Sequence, residues 1–598
     1  MQYCDSPLVY RRRLTREVVV GDPARGGVVI GGRHPIVVQS MLTCDTMDTA
    51  ECVKQTLELV AVGCQIVRIT APTVKDAANL KNIIADLRRR GCQVPIVADI
   101  HFKPEAALEA AQWVEMVRIN PGNYADSKKF AVKEYTDEQY AAELGRIEEK
   151  FTPLVKLCRA LGRALRIGTN HGSLSDRIMN RFGDTPLGMV ESALEFARIA
   201  RSNDFHNFKF SMKASNPKVM IECYRLLAAR LAEEGPDWNY PLHLGVTEAG
   251  EGEDGRIKSA IGIGSLLCDG LGDTIRVSLT EDSPREIEVC RDLLAQIPRL
   301  ITAEGADLSA AWPFDPFTYG RRLTPEIELA EGIQCGGQQT VRVVVTRATW
   351  DKVAPRLRPG DDVKPEAIYE DLNILEIDPT RDFEVNCDTQ LVTVRDGVPL
   401  PPITAFRLLA ARLKRLGRAN PILLKDCLSF EPVALEPKIA LLRASAVLGG
   451  LLADGVGDAI LVRGETGAGQ SLRLAFNLLQ AAGCRSFKTD FVACPSCGRT
   501  LFNLQTVTAR IKARTEHLKG VKIAIMGCIV NGPGEMADAD FGYVGGAPAK
   551  INLYVGKKPV KFNIPEAEAV DRLVDLIKEN GKWAEPKEPA PQELAASS

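Results

Sequence analysis

Three cysteines and one glutamate near the C-terminal end have the residue types and spacing of a metal or redox site. The stretch begins with Cys494-Pro-Ser-Cys497 and continues, after a spacer, with Gly527-Cys528-Ile-Val-Asn-Gly-Pro-Gly-Glu535. Soft thiolates bind zinc, copper(I) or iron–sulfur clusters. A Cys-x-x-Cys pair alone also occurs in redox dithiols and zinc sites, so the informative feature is a third thiol without a neighbouring histidine.

The missing fourth donor distinguishes the alternatives for this stretch. A structural zinc site needs a fourth nitrogen or sulfur ligand, and the nearest candidates are Cys484 and His517. His517 lies in a charged segment with a helical pattern. The spacing therefore favours an iron–sulfur cluster over zinc, and zinc over a bare redox dithiol.

A second group of candidate residues lies at the C-terminal ends of successive apolar runs in the N-terminal half. The cations of this group are Arg68, Arg118, Arg166, Lys213 and Arg276. Its other polar members are Asp99, His101, Asn120, Asn170, Thr247, Glu248 and Ser278. A buried cation without a partner is costly, so five that converge need anions. Asp99 and Glu248 are the obvious internal partners, but a polyanionic ligand, most simply a diphosphate, explains the whole set better.

Eight short strand-like runs alternate with helical segments and must position these side chains. The runs are Ile36–Met41, Gln65–Thr70, Pro95–His101, Met116–Asn120, Leu165–Asn170, Phe208–Lys213, Leu242–Glu248 and Thr274–Leu279. Strands that alternate with helices predict parallel βαβ units, and eight of them predict a (β/α)8 TIM barrel. Because such barrels carry their chemistry at the carboxyl ends of the strands, the charged ends should share one pocket. His101, Asp99 and Glu248 are the candidates there for acid–base chemistry.

The remaining chain divides into further segments. Residues 1–302 hold the barrel, residues 303–470 predict an inserted α/β domain with a structural role and no clustered catalytic residues, and residues 471–584 predict an α+β domain that carries the cysteines. Residues 585–598 are rich in Pro, Glu, Ala and Ser and predict a disordered tail. Within the insert, residues 445–462 repeat the pattern of residues 259–277, with Leu461 in the place of Arg276. This repeat predicts a scaffold copy of the end of the barrel.

Composition excludes several classes of protein. The 598 residues carry a net charge of −2, so a globally basic surface for nucleic acid is absent. No apolar run is long enough to predict a membrane span. The 16 cysteines are scattered and do not form the pattern of a secreted disulfide framework. We therefore expect a cytoplasmic protein without nucleic-acid or membrane partners.

Both groups of residues resemble the IspG (GcpE) family, whose members are 4-hydroxy-3-methylbut-2-en-1-yl diphosphate synthases of the non-mevalonate (MEP) isoprenoid pathway. The segments that carry the resemblance are Val37–Met41, Val97–Phe102, Arg118–Asn123, Arg166–Asn170, Met212–Ser215, Leu242–Gly250 and the two cysteine motifs. The insert resembles the extra, barrel-like domain of the long, plant-type members.

The resemblance implies an iron–sulfur oxidoreductase. It implies a [4Fe–4S] cluster on Cys494, Cys497 and Cys528, with Glu535 as an exchangeable fourth ligand. It implies that Arg68, Arg118, Arg166 and Lys213 hold the diphosphate of 2-C-methyl-D-erythritol 2,4-cyclodiphosphate, and that the other strand-end residues line the same pocket. The implied reaction is reductive ring opening and dehydroxylation to 4-hydroxy-3-methylbut-2-enyl diphosphate, with ferredoxin or flavodoxin as electron donor. We expect Glu248 to handle a proton or to take part in ring opening beside the cluster.

Two rival hypotheses make different predictions. A barrel enzyme of the pterin-synthase kind with a structural zinc would be colourless and hold one zinc per chain. An electron-carrier or cluster-delivery module would not need five convergent cations. The sequence leaves open whether one chain closes its own site or a homodimer supplies the cysteine domain from the other subunit.

Overall fold

The computed structural model describes residues 1–100, 102–125, 134–301, 314–317, 320–358, 360–431, 434–529, 536 and 538–586. The predictions for His101, Glu535 and most of the C-terminal tail therefore fall outside the described residues. None of the helices in these ranges is long and apolar enough to cross a membrane.

Eight parallel strands form the predicted barrel. They are Val37–Met41, Ile66–Thr70, Ile96–Asp99, Met116–Ile119, Ala164–Asn170, Phe208–Lys213, His243–Leu244 and Thr274–Ile275. Each strand pairs in parallel with its neighbour in the chain, and the eighth also pairs with the first. A parallel bridge between Phe210 and Leu242 closes the ring between strands six and seven. The prediction of a (β/α)8 barrel is confirmed.

Helices follow the barrel strands and pack around them. They are Thr49–Ala61, Val74–Arg89, Pro104–Ala111, Pro121–Tyr124, Asp137–Leu161, Asp176–Phe182, Pro186–Ser202, Pro217–Glu234, Gly252–Ser259, Ser265–Cys268 and Ser283–Ile301. Their starts follow the local sequence, since Thr73 and Thr136 each form a capping box with the third residue of the helix they begin. An N-terminal hairpin of Val18–Val20 and Val28–Ile30 lies against the hydrophobic side chains at the other end of the barrel.

In its described residues, the insert contains six parallel strands and a hairpin. The strands are Arg342–Val345, Ala367–Ile368, Ile374–Ile377, Leu391–Val394, Leu423–Lys425 and Ala459–Leu461, and the hairpin pairs Ile327–Ala330 with Ile333–Cys335. The helices are Arg347–Val353, Pro402–Arg415, Pro437–Ala444, Gly450–Ala453 and Ala468–Ala481. Lys425 and Arg463, at the strand ends, both pair with Asp396, at 2.6 and 2.5 Å. The insert thus has charged strand ends, but these three charges pair with one another.

The insert repeats more of the barrel than the sequence pattern indicated. Thr15 donates a hydrogen bond to Asp273 at 3.0 Å. Thr324 donates the corresponding bond to Asp458 at 3.0 Å. Both threonines end the same tetrapeptide, Arg-Arg-Leu-Thr, and both aspartates precede the last parallel strand of their domain. The repeat therefore starts before the first strand of each domain.

Four buried charges from matching positions join the barrel to the insert. Arg225 contacts Asp269 at 2.8 Å and Asp454 at 2.8 Å. Arg407 contacts the same two aspartates, at 2.9 and 2.8 Å. All four side chains are almost wholly buried, so the alternation of charge is needed to offset their desolvation. Barrel and insert also share one continuous hydrophobic core.

The cysteine domain has its own hydrophobic core and covers the mouth of the barrel. It contains the strands Asp490–Ala493, Lys522–Met526, Phe541–Ala547, Lys550–Val555 and Lys558–Pro565 and the helices Leu504–Thr515 and Glu566–Glu579. The predicted limit at residue 470 falls inside helix Ala468–Ala481, which packs on insert elements. We therefore propose a limit between Ala481 and Asp490.

Candidate active site

One cavity lies between the carboxyl ends of the barrel strands and the cysteine domain. It encloses about 630 Å³ of space between protein atoms, part of it open to solvent. The wall on the barrel side is Met41, Arg68, Asp99, Arg118, Arg166, Asn170, Lys213, Thr247, Glu248 and Arg276. The wall on the other side is Cys494, Pro495, Ser496, Cys497, Arg499, Met526, Gly527 and Cys528.

All five predicted cations line this cavity, and each is at most 6% exposed. The carboxylate of Asp99 forms an ion pair with Arg118 Nη1 at 2.8 Å, and it lies 3.5 Å from Nε of Arg68. Burial lowers the pKa of Arg68 to about 10 despite this carboxylate. Arg118 also donates to the side chain of Asn170 at 2.7 Å, which fixes its guanidinium across the strand ends.

The sequence analysis missed the partner of Arg276. Glu286, on the helix Ser283–Ile301, accepts two hydrogen bonds from its guanidinium, at 3.0 and 2.8 Å. It accepts a third from the hydroxyl of Ser40 at 2.6 Å. A fork-to-carboxylate pair of this kind holds Arg276 in place and neutralises part of its charge. The expectation that Asp99 and Glu248 are the internal partners was therefore incomplete.

Arg166 and Lys213 have no carboxylate partner among the described residues. Burial, with Arg68 and Arg118 nearby, lowers the pKa of Arg166 well below its usual value. Burial and the surrounding arginines do the same to the pKa of Lys213. Two nitrogens of Arg166, Nε and Nη1, lack hydrogen-bond acceptors in the described part of the chain. A bound anion would therefore supply the counter-charge and the hydrogen-bond acceptors that these two cations lack among the described residues.

Glu248 is buried at the rim between the two domains. Its backbone is left-handed, with φ of 49°, a conformation that is uncommon for a residue other than glycine. Burial raises the pKa of its carboxyl, although the Thr247 hydroxyl, Lys213 and Arg276 act in the opposite direction. Thr247 donates a hydrogen bond to this carboxyl. A buried carboxyl in a left-handed turn beside reactive groups is a candidate for proton transfer.

The three predicted thiols lie on the cysteine-domain wall of the cavity. The sulfur of Cys494 accepts a hydrogen bond from the backbone N–H of Gly527 at 3.4 Å. A side chain at Gly527 would come within 2.8 Å of the Thr500 side chain, so this position beside Cys528 has room only for glycine. Among the described residues, no three His, Cys, Asp or Glu side chains converge on a single ion position. These thiols share a wall and have the soft donor atoms that an iron–sulfur cluster takes.

Arg499 is a further site residue, which was not predicted from the sequence. It reaches the cavity from the cysteine domain and is partly buried there, with the buried nitrogens Nε and Nη1 lacking acceptors among the described residues. Burial lowers the pKa of Arg499, but the thiols of Cys497 and Cys528 and the Asp99 carboxylate outweigh burial and raise it. Its position directly after the Cys-x-x-Cys-Gly motif was the signal that could have found it.

Contacts within the same chain hold the two walls together. The backbone of Ala249 forms a parallel bridge with Ala493, so strand-like pairing crosses the domain boundary. Lys258 of the barrel donates to Asp490 at 2.9 Å, and its pKa is raised because Asp490 outweighs the effect of burial. The hydroxyl of Thr280 donates to the backbone carbonyl of Cys494 at 3.1 Å.

Two predicted pocket residues lie outside the cavity wall. The side-chain amide of Asn120 donates to the hydroxyl of Ser173 at 2.8 Å, and its oxygen caps the short helix Pro121–Tyr124. Ser278 is buried, and its hydroxyl has no partner among the described residues. Neither is part of the cavity wall described above. Their assignment to substrate binding stays a prediction.

The fold and this site define a class: a TIM-barrel enzyme with a cationic mouth that is closed by a thiol-bearing domain of the same chain. Two family comparisons identify it further. The GcpE TIM-barrel domain matches residues 15–291, and the GcpE protein C-terminal domain matches residues 490–579. The chain belongs to the GcpE family.

Curated relatives match the chain over nearly its full length. A protein from Akkermansia muciniphila, named 4-hydroxy-3-methylbut-2-en-1-yl diphosphate synthase (flavodoxin), is 56% identical over 98% of this chain and 99% of its own. A protein of the same name from Leptospira interrogans is 45% identical, with coverage of 98% and 99%. A protein from Oryza sativa, 4-hydroxy-3-methylbut-2-en-1-yl diphosphate synthase (ferredoxin), chloroplastic, is 42% identical over 98% of this chain and 89% of its own.

Proposed function

We propose that this chain is a 4-hydroxy-3-methylbut-2-en-1-yl diphosphate synthase. It converts 2-C-methyl-D-erythritol 2,4-cyclodiphosphate into 4-hydroxy-3-methylbut-2-enyl diphosphate in the MEP pathway. The reaction consumes two electrons, opens the cyclic diphosphate and releases one oxygen as water. The observation that carries the proposal is the single cavity that joins five buried cations to three thiols within one chain.

The barrel cations bind and orient the diphosphate. Arg166 and Lys213 have no carboxylate partner among the described residues, so a phosphate oxygen supplies the missing acceptor. Arg118 is held by Asp99 and Asn170 and presents a fixed fork. Charged hydrogen bonds contribute roughly 1.5–3 kcal/mol each. A few such contacts account for micromolar affinity, which corresponds to about 8 kcal/mol.

The cysteine domain holds an iron–sulfur cluster, of the [4Fe–4S] type. Cys494, Cys497 and Cys528 supply thiolates, and Glu535, which lies outside the described residues, supplies the fourth ligand by its place in the motif. Thiols that share a wall without converging on one ion position would suit a polynuclear cluster better than a single metal ion. When bound, the cluster supplies single electrons to the substrate.

Arg499 and Glu248 act on the substrate from opposite domains. Arg499 adds positive charge between the thiols and the diphosphate and offers its free N–H groups to an oxygen of the substrate. Glu248 has a raised pKa and can hold a proton beside a developing negative charge. His101 lies outside the described residues, and its acid–base role stays a prediction from its strand-end position and the family resemblance.

Closure of the site occurs within one chain. The barrel and the cysteine domain of the same chain supply both walls, and the contacts of Thr280 and Lys258 join them. Closure excludes water from the reacting groups and fixes their geometry. The electron donor is a flavodoxin or a ferredoxin, the two donors that appear in the names of the relatives.

An anaerobic assay with the cyclic diphosphate and either reduced donor tests the proposal. We expect formation of the linear diphosphate, iron and sulfide in the purified protein, and loss of substrate binding in R118A. Arg510→Ala, on an exposed helix of the cysteine domain, is the control and should bind substrate normally. Zinc at one per chain with no iron, or binding that survives R118A, would contradict the proposal.

A further inference from the structure

We propose that Cys44 and Cys52 form a reversible thiol–disulfide pair that changes the fit of the cysteine domain on the barrel. Their sulfur atoms lie 3.5 Å apart. Cys44 belongs to the segment that follows the first barrel strand, and Cys52 lies in the first turns of the helix Thr49–Ala61. Neither residue lines the cavity, and neither has a role in the proposed reaction.

The distance between the two sulfurs is short enough for bond formation by local movement. A disulfide requires a separation of about 2.05 Å, so the atoms must approach by roughly 1.5 Å. The two residues are joined by a short loop, and Cys52 already donates to the backbone carbonyl of Asp45 at 3.4 Å. The helix is rigid, so the loop at Cys44 must supply most of the movement.

Exposure of the two thiols defines an order of reaction. Cys44 is partly exposed and Cys52 is buried. The oxidant is a small disulfide such as oxidised glutathione. The thiolate of Cys44 attacks one sulfur of this disulfide and releases one glutathione thiol, and Cys52 then attacks the sulfur of Cys44 and releases the second. The protein loses two protons and two electrons, and the glutathione disulfide gains them as it becomes two thiols.

The bond would affect the cysteine domain because Cys44 contacts it. A side chain at Gly498 would come within 2.5 Å of the carbonyl oxygen of Cys44, so the two backbones touch. Gly498 lies between the proposed cluster ligand Cys497 and Arg499. Any displacement of the Cys44 backbone is therefore transmitted to this turn.

Neighbouring contacts prevent the movement from being absorbed farther along the loop. The hydroxyl of Thr46 donates to the carbonyl of Thr70, and its own carbonyl accepts from Asn79 at 2.8 Å. The backbone N–H of Thr43 donates to Gln55 at 3.0 Å. Hydrogen bonds thus hold the loop on both sides of Cys44. A displacement of the Cys44 backbone therefore changes its contact with Gly498.

Peptide mapping of the anaerobic holoenzyme tests the bond. The protein is equilibrated with glutathione buffers of increasing disulfide content, quenched in acid, alkylated and digested with trypsin. Both cysteines lie between Arg33 and Lys54, so one peptide reports both. We expect this peptide to lose two hydrogens and both alkyl groups, and to recover them with dithiothreitol.

Variants distinguish the pair from general thiol oxidation. C52S, and C52A as a second variant that keeps the site apolar, should retain a glutathione adduct on Cys44. The exposed Cys387 should form a glutathione adduct but no disulfide within the protein. The variant C64S, at a buried cysteine outside the pair, should still form the Cys44–Cys52 disulfide. The proposal is overturned if Cys44 and Cys52 stay fully alkylated where Cys387 has reacted, or if the wild type keeps an unresolved adduct on Cys44.

Hydrogen exchange tests the effect on the cysteine domain without relying on turnover. The amides of Thr500 and Leu501 are bonded to the carbonyls of Cys497 and Gly527, at 2.9 and 3.0 Å, and report the state of the turn. We expect several-fold faster exchange of these amides in the oxidised wild type and no change in C44S treated in the same way. Unchanged exchange in protein that has formed the bond would overturn the coupling, whatever the outcome of the activity assay.

Discussion

The hydroxyl of Thr280, just after the last barrel strand, donates a hydrogen bond to the backbone carbonyl of Cys494 at 3.1 Å. The residue that carries the first thiol is thus joined directly to the loop beside Arg276 and Ser278. This contact lies within one chain, so the barrel and the cysteine domain need no second subunit to meet.

Removal of the charge of Lys213 should stabilise the protein and weaken substrate binding. A buried lysine without a carboxylate partner among the described residues raises the free energy of the ligand-free fold. We expect K213M to raise the Tm of the ligand-free protein by about 2 °C or more, and to lower affinity for the cyclic diphosphate by at least about tenfold. Calorimetry measures both quantities.

Lys209 provides the matched control for this experiment. It is also buried in the barrel and has a lowered pKa because of burial, but it donates to Thr274 at 3.3 Å and does not line the cavity. K209M should leave substrate affinity unchanged. A K213M protein that binds substrate normally would show that Lys213 does not hold the diphosphate.

Substrate binding should be accompanied by proton uptake. The pKa of Lys213 is well below its usual value in the ligand-free protein, and an adjacent diphosphate raises it again. Affinity should therefore rise as the pH falls from the pKa of Lys213 in the complex towards its lower ligand-free pKa, and should level off below that value. By the same linkage, the unfolding free energy of the ligand-free protein should fall as the pH falls from the usual lysine pKa to the ligand-free pKa, because the unfolded chain binds a proton there that the folded protein does not.

Isothermal titrations in buffers of different ionisation enthalpy measure this uptake. K213M should remove the part of the uptake that belongs to Lys213. Equal proton uptake in the wild type and K213M would assign the effect to another group.

Truncation of Arg499 should slow the reaction more than it weakens binding. Its two N–H groups without acceptors face the cavity between the thiols and Asp99, and their loss removes stabilisation of charge that develops during reaction. We expect R499A to lower kcat by roughly a hundredfold, and R499K to recover only part of it because lysine lacks the planar fork. Steady-state kinetics compare R499A with the Arg510→Ala control. An unchanged kcat in R499A would contradict this role.

The ion pair between Lys258 and Asp490 should contribute to closure of the site. Lys258 is 9% exposed at its side chain and Asp490 is 29% exposed, so solvent screens this pair less than a surface pair. We expect K258M to lower kcat/KM by roughly tenfold and to increase hydrogen exchange at Phe491. K54M, which removes an exposed pair with Glu51, should change neither quantity.

The barrel was predictable because its strands and their charged ends follow each other regularly along the chain. The convergence of Arg68, Arg118 and Lys213 follows from the parallel topology alone. Glu286 was not predictable as the partner of Arg276, because it lies on the next helix and its direction depends on how that helix packs. For Asn120 the strand-end position predicted a pocket residue, but its side chain caps a helix instead. The direction of a side chain at a strand end is not fixed by the topology.

The repeat inside the insert was only partly visible in the sequence. The stretches around Asp269 and Asp454 share enough residues to be matched, but the tetrapeptides that end in Thr15 and Thr324 are too short to stand out. Their equivalence becomes clear only when Thr15 and Thr324 are seen to bond to matching aspartates. Packing constrains these few positions and leaves the strand-end residues between them free to diverge.

The ring of Arg225, Asp269, Arg407 and Asp454 has a consequence for how the enzyme responds to dilution. Contacts between such matching positions usually join two separate subunits, and their occupancy then depends on protein concentration. Here both halves are parts of one polypeptide, so their association is intramolecular and has no dissociation constant. The specific activity of the enzyme should therefore stay constant on dilution to levels at which a noncovalent dimer would separate.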